Sequence, residues 1–106
     1  MKIFKELNKL GYIHYSATTI EELDDLPLDS EERIIEQTLV LRWFRKKKYQ
    51  AEILWRGDFG DFCWKIGRFK YGSHFFSDDG FKTYEQAEFE CIKKLIELAN
   101  EKKIHR

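Results

Sequence analysis

The stretch Phe81-Lys82-Thr83-Tyr84-Glu85-Gln86-Ala87-Glu88-Phe89-Glu90-Cys91-Ile92-Lys93-Lys94-Leu95-Ile96-Glu97-Leu98-Ala99 reads as one helix with a written start. Thr83 and Gln86 have the spacing of a capping box: the hydroxyl accepts from the Gln86 backbone N–H, and the Gln86 side chain reaches back. Glu85 and Glu88 lie near the positive end of the helix dipole, and Lys102, Lys103 and Arg106 near the negative end. Ala87, Cys91, Leu95 and Leu98 fall on one face, which Ile92, Ile96 and Ala99 widen into a broad apolar stripe. Glu90 precedes Lys94 by four, a modestly favourable surface pair. Such a stripe needs a sheet or a second helix to cover it.

Short aromatic strands stand directly ahead of it. Ala51, Ile53 and Trp55 alternate with Glu52, Leu54 and Arg56, and Phe62, Trp64 and Ile66 alternate with Cys63, Lys65 and Gly67. Both patterns are those of half-buried strands. Gly57-Asp58-Phe59-Gly60-Asp61 reads as their hairpin connection. After Gly67 the apolar phase slips to Phe69 and Tyr71, which predicts a bulge or bend at Gly67. A short third strand is expected around Ser73 to Ser77, closed by the turn residues Asp78-Asp79-Gly80.

Ahead of the strands, a helix is expected from about Ser30 to Lys47, with Asp29 and Glu32 at capping spacing. Its core face is read as Ile34, Ile35, Thr38, Leu39, Leu41 and Trp43, with Phe44 at the edge. Ile3, Phe4, Leu7 and Leu10 predict a short helix over 1–10 that Gly11 ends. Residues 12–30 are the least regular part. Thr18 or Thr19 can cap a turn carrying Ile20 and Leu23, and Pro27 closes the zone. The expected organisation is an N-terminal extension (1–29) and an α-β-β-β-α domain (30–106). The fold class is α+β, with two helices on one face of a three-stranded antiparallel sheet.

A chain of 106 residues fits one domain with one small core. An aromatic share of 16% under a charged share of 36% describes large rings beneath a heavily charged skin. No apolar run approaches the ~20 residues of a membrane span, and Met1 to Lys9 lacks the apolar centre of a signal peptide. Two cysteines without a CxxC pair fit a reduced cytoplasmic setting. The formal net charge of zero hides an asymmetry: residues 21–36 carry a net −7 and residues 42–70 a net +6. Two readings stay open. The charges either complement the dipole of the helix they flank, or they mark a surface for a polar partner.

Two resemblances attach to these residues. The segment Gln37-Thr38-Leu39-Val40-Leu41-Arg42-Trp43-Phe44-Arg45, with Phe81-Lys82-Thr83-Tyr84-Glu85-Gln86-Ala87 running into Cys91-Ile92-Lys93-Lys94-Leu95-Ile96-Glu97, resembles small uncharacterised proteins of bacterial phages and conjugative elements. That resemblance implies no activity. The order α-β-β-β-α is similar to the double-stranded-RNA-binding fold. That family places lysines at the start of its last helix to hold phosphate, where this chain has Thr83-Tyr84-Glu85-Gln86-Ala87-Glu88. The departure argues against duplex RNA as the ligand, and fold alone does not fix function.

The residues give no support to an enzyme, and no cofactor or metal is expected. His14, His74 and His105 are far apart, without the close ligand pairs that zinc needs. Cys91 lies on the core stripe, where a thiol behaves as a small apolar group. Asp58, Asp61, Asp78 and Asp79 match no calcium loop and suit turns. The serines lack a nucleophile setting, and no Gly-rich phosphate loop is present. Trp43, Trp55 and Trp64 fall on expected core lines. What stands out is the basic set Arg42, Arg45, Lys46, Lys47, Lys48, Arg56, Lys65, Arg68 and Lys70, interleaved with Tyr49, Phe59, Phe69 and Tyr71. Charge with flat rings suits single-stranded nucleic acid, and Tyr, Trp and Arg equally suit a protein interface. The expectation is a non-enzymatic protein-binding module, acting on a host or defence component through an exposed sheet face, an edge strand or the acidic segment. The alternative is a nucleic-acid-binding protein using 42–70. Neither the partner's identity nor the oligomeric state follows from the residues.

Overall fold

Alternation along two strands builds the platform of the molecule. The computed structural model describes residues 1–68, 74–77 and 79–104. In it β1 (Tyr49–Arg56) and β2 (Asp61–Arg68) pair antiparallel in continuous register, from Tyr49 opposite Arg68 to Arg56 opposite Asp61. β3 (His74–Phe76) adds to the other side of β2, giving the order β1-β2-β3. The connection 57–60 is closed by the N–H groups of Phe59 and Gly60 donating to the Arg56 carbonyl at 3.1 and 2.8 Å. Gly60 there takes φ +65°, a conformation that costs glycine little. The register passes through Gly67 without a bulge. Phe69 and Tyr71, whose phase suggested one, lie outside the described residues.

Among the described residues four helices accompany the sheet: α1 (Ile3–Lys9), α2 (Ile20–Asp25), α3 (Glu31–Lys46) and α4 (Tyr84–Ile104). Three of them start on a hydroxyl cap. Thr19 accepts from Glu22 N–H at 3.2 Å, Ser30 from Arg33 N–H at 3.2 Å, and Thr83 from Gln86 N–H at 3.1 Å. The α3 cap is thus Ser30 rather than Asp29, one residue later than expected. Gly11 follows α1 at φ +101°. After β3 the chain returns beside β2, where Phe81 and Phe62 exchange both backbone hydrogen bonds at 2.7 Å, and α4 then begins.

α3 packs on β1 and on α4, while α4 lies across β2 and β1, so both long helices share one face of the sheet, as expected. Between them lies one buried cluster, with Val40, Leu41 and Phe44 from α3, Ala51, Trp64 and Ile66 from the sheet, and Cys91, Ile92, Leu95 and Ile96 from α4. The segment 1–29, read above as an extension, adds Ile3, Phe4, Leu7, Tyr12 and Leu23 to that same cluster. The opposite sheet face carries Leu54, Cys63, Lys65 and Phe76, and no helix among the described residues packs over it.

Two expected core assignments are corrected. The buried face of α3 is Arg33, Glu36, Gln37, Val40, Leu41 and Phe44, whereas Ile35 is 54% exposed and Thr38 lies at the surface. The helix is turned because 12–26 supplies partners that make burial of polar groups tolerable. Arg33 Nη1 donates to the carbonyls of Leu23, Asp24 and Leu26 at 3.2, 3.0 and 2.9 Å. Glu36 accepts from the Tyr12 hydroxyl at 2.9 Å and from the N–H groups of Tyr15 and Ser16 at 2.9 and 2.5 Å. Trp55 is the second correction. It has the helix-facing phase of Ala51 and Ile53 but is 59% exposed, because α4 begins only at Tyr84 and covers the sheet no further toward the hairpin.

Candidate binding surfaces

The basic residues read from the sequence do not form one surface. Arg45 turns back onto the sheet: its Nε and Nη2 donate to the Ala51 carbonyl at 3.1 and 2.9 Å. β1 is an edge strand, so the guanidinium occupies a backbone acceptor that another chain would otherwise pair with. Arg56 is held in a two-pronged pair with Asp61 at 2.7 and 2.8 Å. That pair holds the Asp61 carboxyl below its ordinary range and raises the Arg56 guanidinium. Lys65 stands on the open sheet face with its Nζ 5.7 Å from the Phe76 ring centroid. Lys48 takes φ +75° just after α3 and is exposed. Arg68 ends β2, and Lys70 lies outside the described residues.

Arg42, Lys46 and Lys47 do come together, around rings that the sequence assigned otherwise. Leu39, Arg42, Trp43 and Lys46 stand at i, i+3, i+4 and i+7 on α3, so they share one stripe. The strap after α1 crosses that stripe. Tyr12 packs edge-on to Trp43, with centroids 5.5 Å apart, and the Tyr15 backbone is fixed by Glu36. Between strap and stripe lies a groove of about 150 Å³ lined by Tyr15, Leu39, Arg42, Trp43 and Lys46. Lys47 Nζ sits 4.6 Å from the Trp43 ring centroid. No carboxylate pairs with Arg42, Lys46 or Lys47 among the described residues. Trp43, expected in the core, packs against its edge through Tyr12 and Phe44 and is at the same time a half-buried groove wall, and nothing in the local sequence marked Tyr15 as its companion.

A second group of rings gathers at the hairpin end of the sheet. Trp55 meets Phe62 with centroids 4.9 Å apart, and Phe62 meets Tyr84 edge-on at 6.0 Å. Phe59, at the turn, is 74% exposed and lies 4.8 Å from the Arg56 guanidinium. Gly80 approaches the Arg56–Asp61 pair so closely that a Cβ there would collide with both side chains. These contacts gather the rings of Trp55, Phe62 and Tyr84 at the end of the strand pair, with Phe59 beside them on Arg56. Phe62 and Trp55 were legible as strand residues, but the exposure of Trp55 follows from where α4 starts, with Phe62 half-buried between Trp55 and Tyr84.

Beneath the surface, a polar chain crosses the α3–α4 contact. Arg33 Nε donates to Gln37 Oε1 at 3.1 Å, and Gln37 Nε2 donates to Glu88 Oε1 at 3.1 Å. Glu88 is 1% exposed, and its Oε2 has no hydrogen-bond partner. Burial pushes the Glu88 carboxyl up to about 7, against the opposing pull of the Gln37 amide and the Arg45 charge. Burial also pushes the Cys91 thiol up to about 12, so it is a poor nucleophile in this setting. Cys63 lies half-buried on the open sheet face, and both cysteines are free. Among the described residues no group of three His, Cys, Asp or Glu side chains is placed to hold a metal, and no helix is long and apolar enough to cross a membrane. Comparison with family models, curated proteins and solved structures finds no match for this chain.

Proposed function

We propose that this chain is a non-enzymatic protein-binding module that docks through the hairpin end of its sheet. The observation that carries the reading is the row Trp55, Phe62 and Tyr84 in successive ring contact, with Trp55 and Tyr84 exposed and Phe62 half-buried, beside the exposed Phe59 on Arg56. Trp, Tyr and Arg dominate the energetic centres of protein interfaces, because one preordered side chain removes a large area from water. Rings gathered in one place and left in water are a mark of an interaction surface. The cation at this end is already neutralised by Asp61, so the surface suits apolar side chains better than phosphate. The partner is a protein that packs apolar side chains among these rings. In keeping with the resemblance to phage and mobile-element proteins, the proposed setting is the cytoplasm and the proposed partner a host or defence component.

The test is capture of partners from cells with the tagged chain, with and without nuclease, in parallel with a Trp55→Ser/Phe59→Ser variant. Both side chains are mostly exposed, so the variant retains the fold, as circular dichroism verifies. A protein that survives nuclease and is lost with the variant is the expected result. No captured protein surviving nuclease, or protein capture indifferent to the two substitutions, would overturn the reading.

A further inference from the structure

We propose that the groove between the 12–18 strap and α3 binds a nucleobase together with its attached phosphate. This is a site separate from the hairpin end, and it does not depend on the reading given for that end. Rings and unpaired cations coincide here. Tyr15, 76% exposed, and Trp43 form the walls, and Arg42, Lys46 and Lys47 surround them. At the hairpin end the arginine beside the rings is neutralised by Asp61, and on the open sheet face Lys65 stands directly opposite Glu52. A flat base is attracted to aromatic faces whatever its identity, while its phosphate needs charge within a few ångströms. The groove supplies both from one helical stripe and one anchored strap.

Size limits the ligand. A groove of about 150 Å³ is well below the few hundred Å³ of sites that enclose whole drug-sized molecules, so it takes one ring. Lys47 already holds a cation over the indole, at 4.6 Å. A base entering the groove takes that place, and the freed ammonium on its flexible stem reaches the phosphate. Two acids of α3, Glu32 and Glu36, adjoin the groove through the strap, and both are already engaged. Glu36 is buried on Tyr12, Tyr15 and Ser16, and Glu32 is engaged by the hydroxyls of Ser16 and Thr18. A paired duplex offers no free base face to such a slot, so the ligand is single-stranded nucleic acid or a free nucleotide.

Fluorescence anisotropy with a labelled ten-nucleotide dT strand at about 150 mM salt tests this, beside the same strand in duplex form. Four variants accompany the parent: Tyr15→Ala, Trp43→Phe, the triple Arg42→Gln/Lys46→Gln/Lys47→Gln, and a control Lys2→Gln/Lys5→Gln/Lys9→Gln on and beside α1. The single strand is expected to bind at least about tenfold more tightly than the duplex. Tyr15→Ala should weaken it about fivefold or more, as loss of one stacking partner does. The groove triple should weaken it further, with a shallower salt dependence. The α1 control should match the parent. Competition with uridine monophosphate separates the two ligand sources: displacement assigns the site to nucleotides, and no displacement assigns it to strands. No measurable binding, equal binding of duplex and single strand, indifference to Tyr15→Ala, or equal loss in the control each overturns the proposal.

Discussion

Replacing Glu88 by Gln should remove a pH dependence of stability that this fold imposes on itself. Glu88 sits on the apolar stripe of α4 at 1% exposure, with one oxygen on the Gln37 amide and the other without a partner. Arg45 and Glu85 are the charged groups that act on it, with opposite signs. The carboxyl ionises near 4.5 in an unfolded chain and at about 7 in the native one. Below pH 4.5 both states hold the proton, and the contribution of the neutral buried carboxyl is fully present. As pH rises toward 7 the unfolded chain releases its proton first, so native stability falls; above that range the loss is complete. At ~1.4 kcal/mol for each pH unit separating the two values, the fall amounts to about 3 kcal/mol. The glutamine variant cannot ionise and lacks this fall. Glu32 and Asp61, whose carboxyls are held low by hydroxyl and guanidinium partners, contribute in the opposite sense but equally in both proteins. Urea denaturation under reducing conditions, followed by circular dichroism from pH 4.5 to 8.5, gives the difference between parent and variant. That difference should shift against the parent by about 3 kcal/mol across the range. A flat difference, or one that favours the parent as pH rises, would show that Glu88 enters the fold ionised, and the reasoning would fail.

Other perturbations probe the remaining joints. Arg33→Ala deprives three carbonyls of the 23–26 segment of their donor and should cost at least about 3 kcal/mol; a loss under about 1 kcal/mol in denaturant titration would show that water replaces the guanidinium. Cys91→Ser should cost about 1–3 kcal/mol by burying a poorly paired hydroxyl, and in the native protein a thiol reagent should modify Cys63 well before Cys91. Equal labelling rates in the folded state would contradict the burial of Cys91. Thr83→Ala should cost about 1 kcal/mol through the lost cap of α4, read by thermal unfolding, whereas Thr83→Asn should restore most of it.

Much of the fold is written locally. The Thr83 cap, the alternation of Ala51, Ile53, Phe62, Trp64 and Ile66, the hairpin residues 57–61 and the α1 stop at Gly11 depend on neighbours within a turn or a strand, and each stands where the sequence placed it. The stripe Ala87, Cys91, Leu95, Leu98 is buried for the same reason: an apolar face repeated at the helical period has only one way to leave water.

What the sequence could not decide is the rotation of α3 and the fate of the rings. Read alone, Ile34, Ile35 and Thr38 form as good a face as Arg33, Gln37 and Leu41, and a buried arginine or glutamate is the costlier choice. The choice is reversed by partners more than a turn away: the 23–26 carbonyls for Arg33, the 15–16 amides for Glu36, and the Gln37–Glu88 bridge to α4. Turning α3 in this way brings Arg42, Lys46 and Trp43 into one groove with Tyr15. The same limit applies at the hairpin, where Trp55 keeps its helix-facing phase but stays in water because α4 starts at Tyr84. Periodicity fixes which residues share a face, but only the placement of distant segments decides which face is covered and which is left to bind.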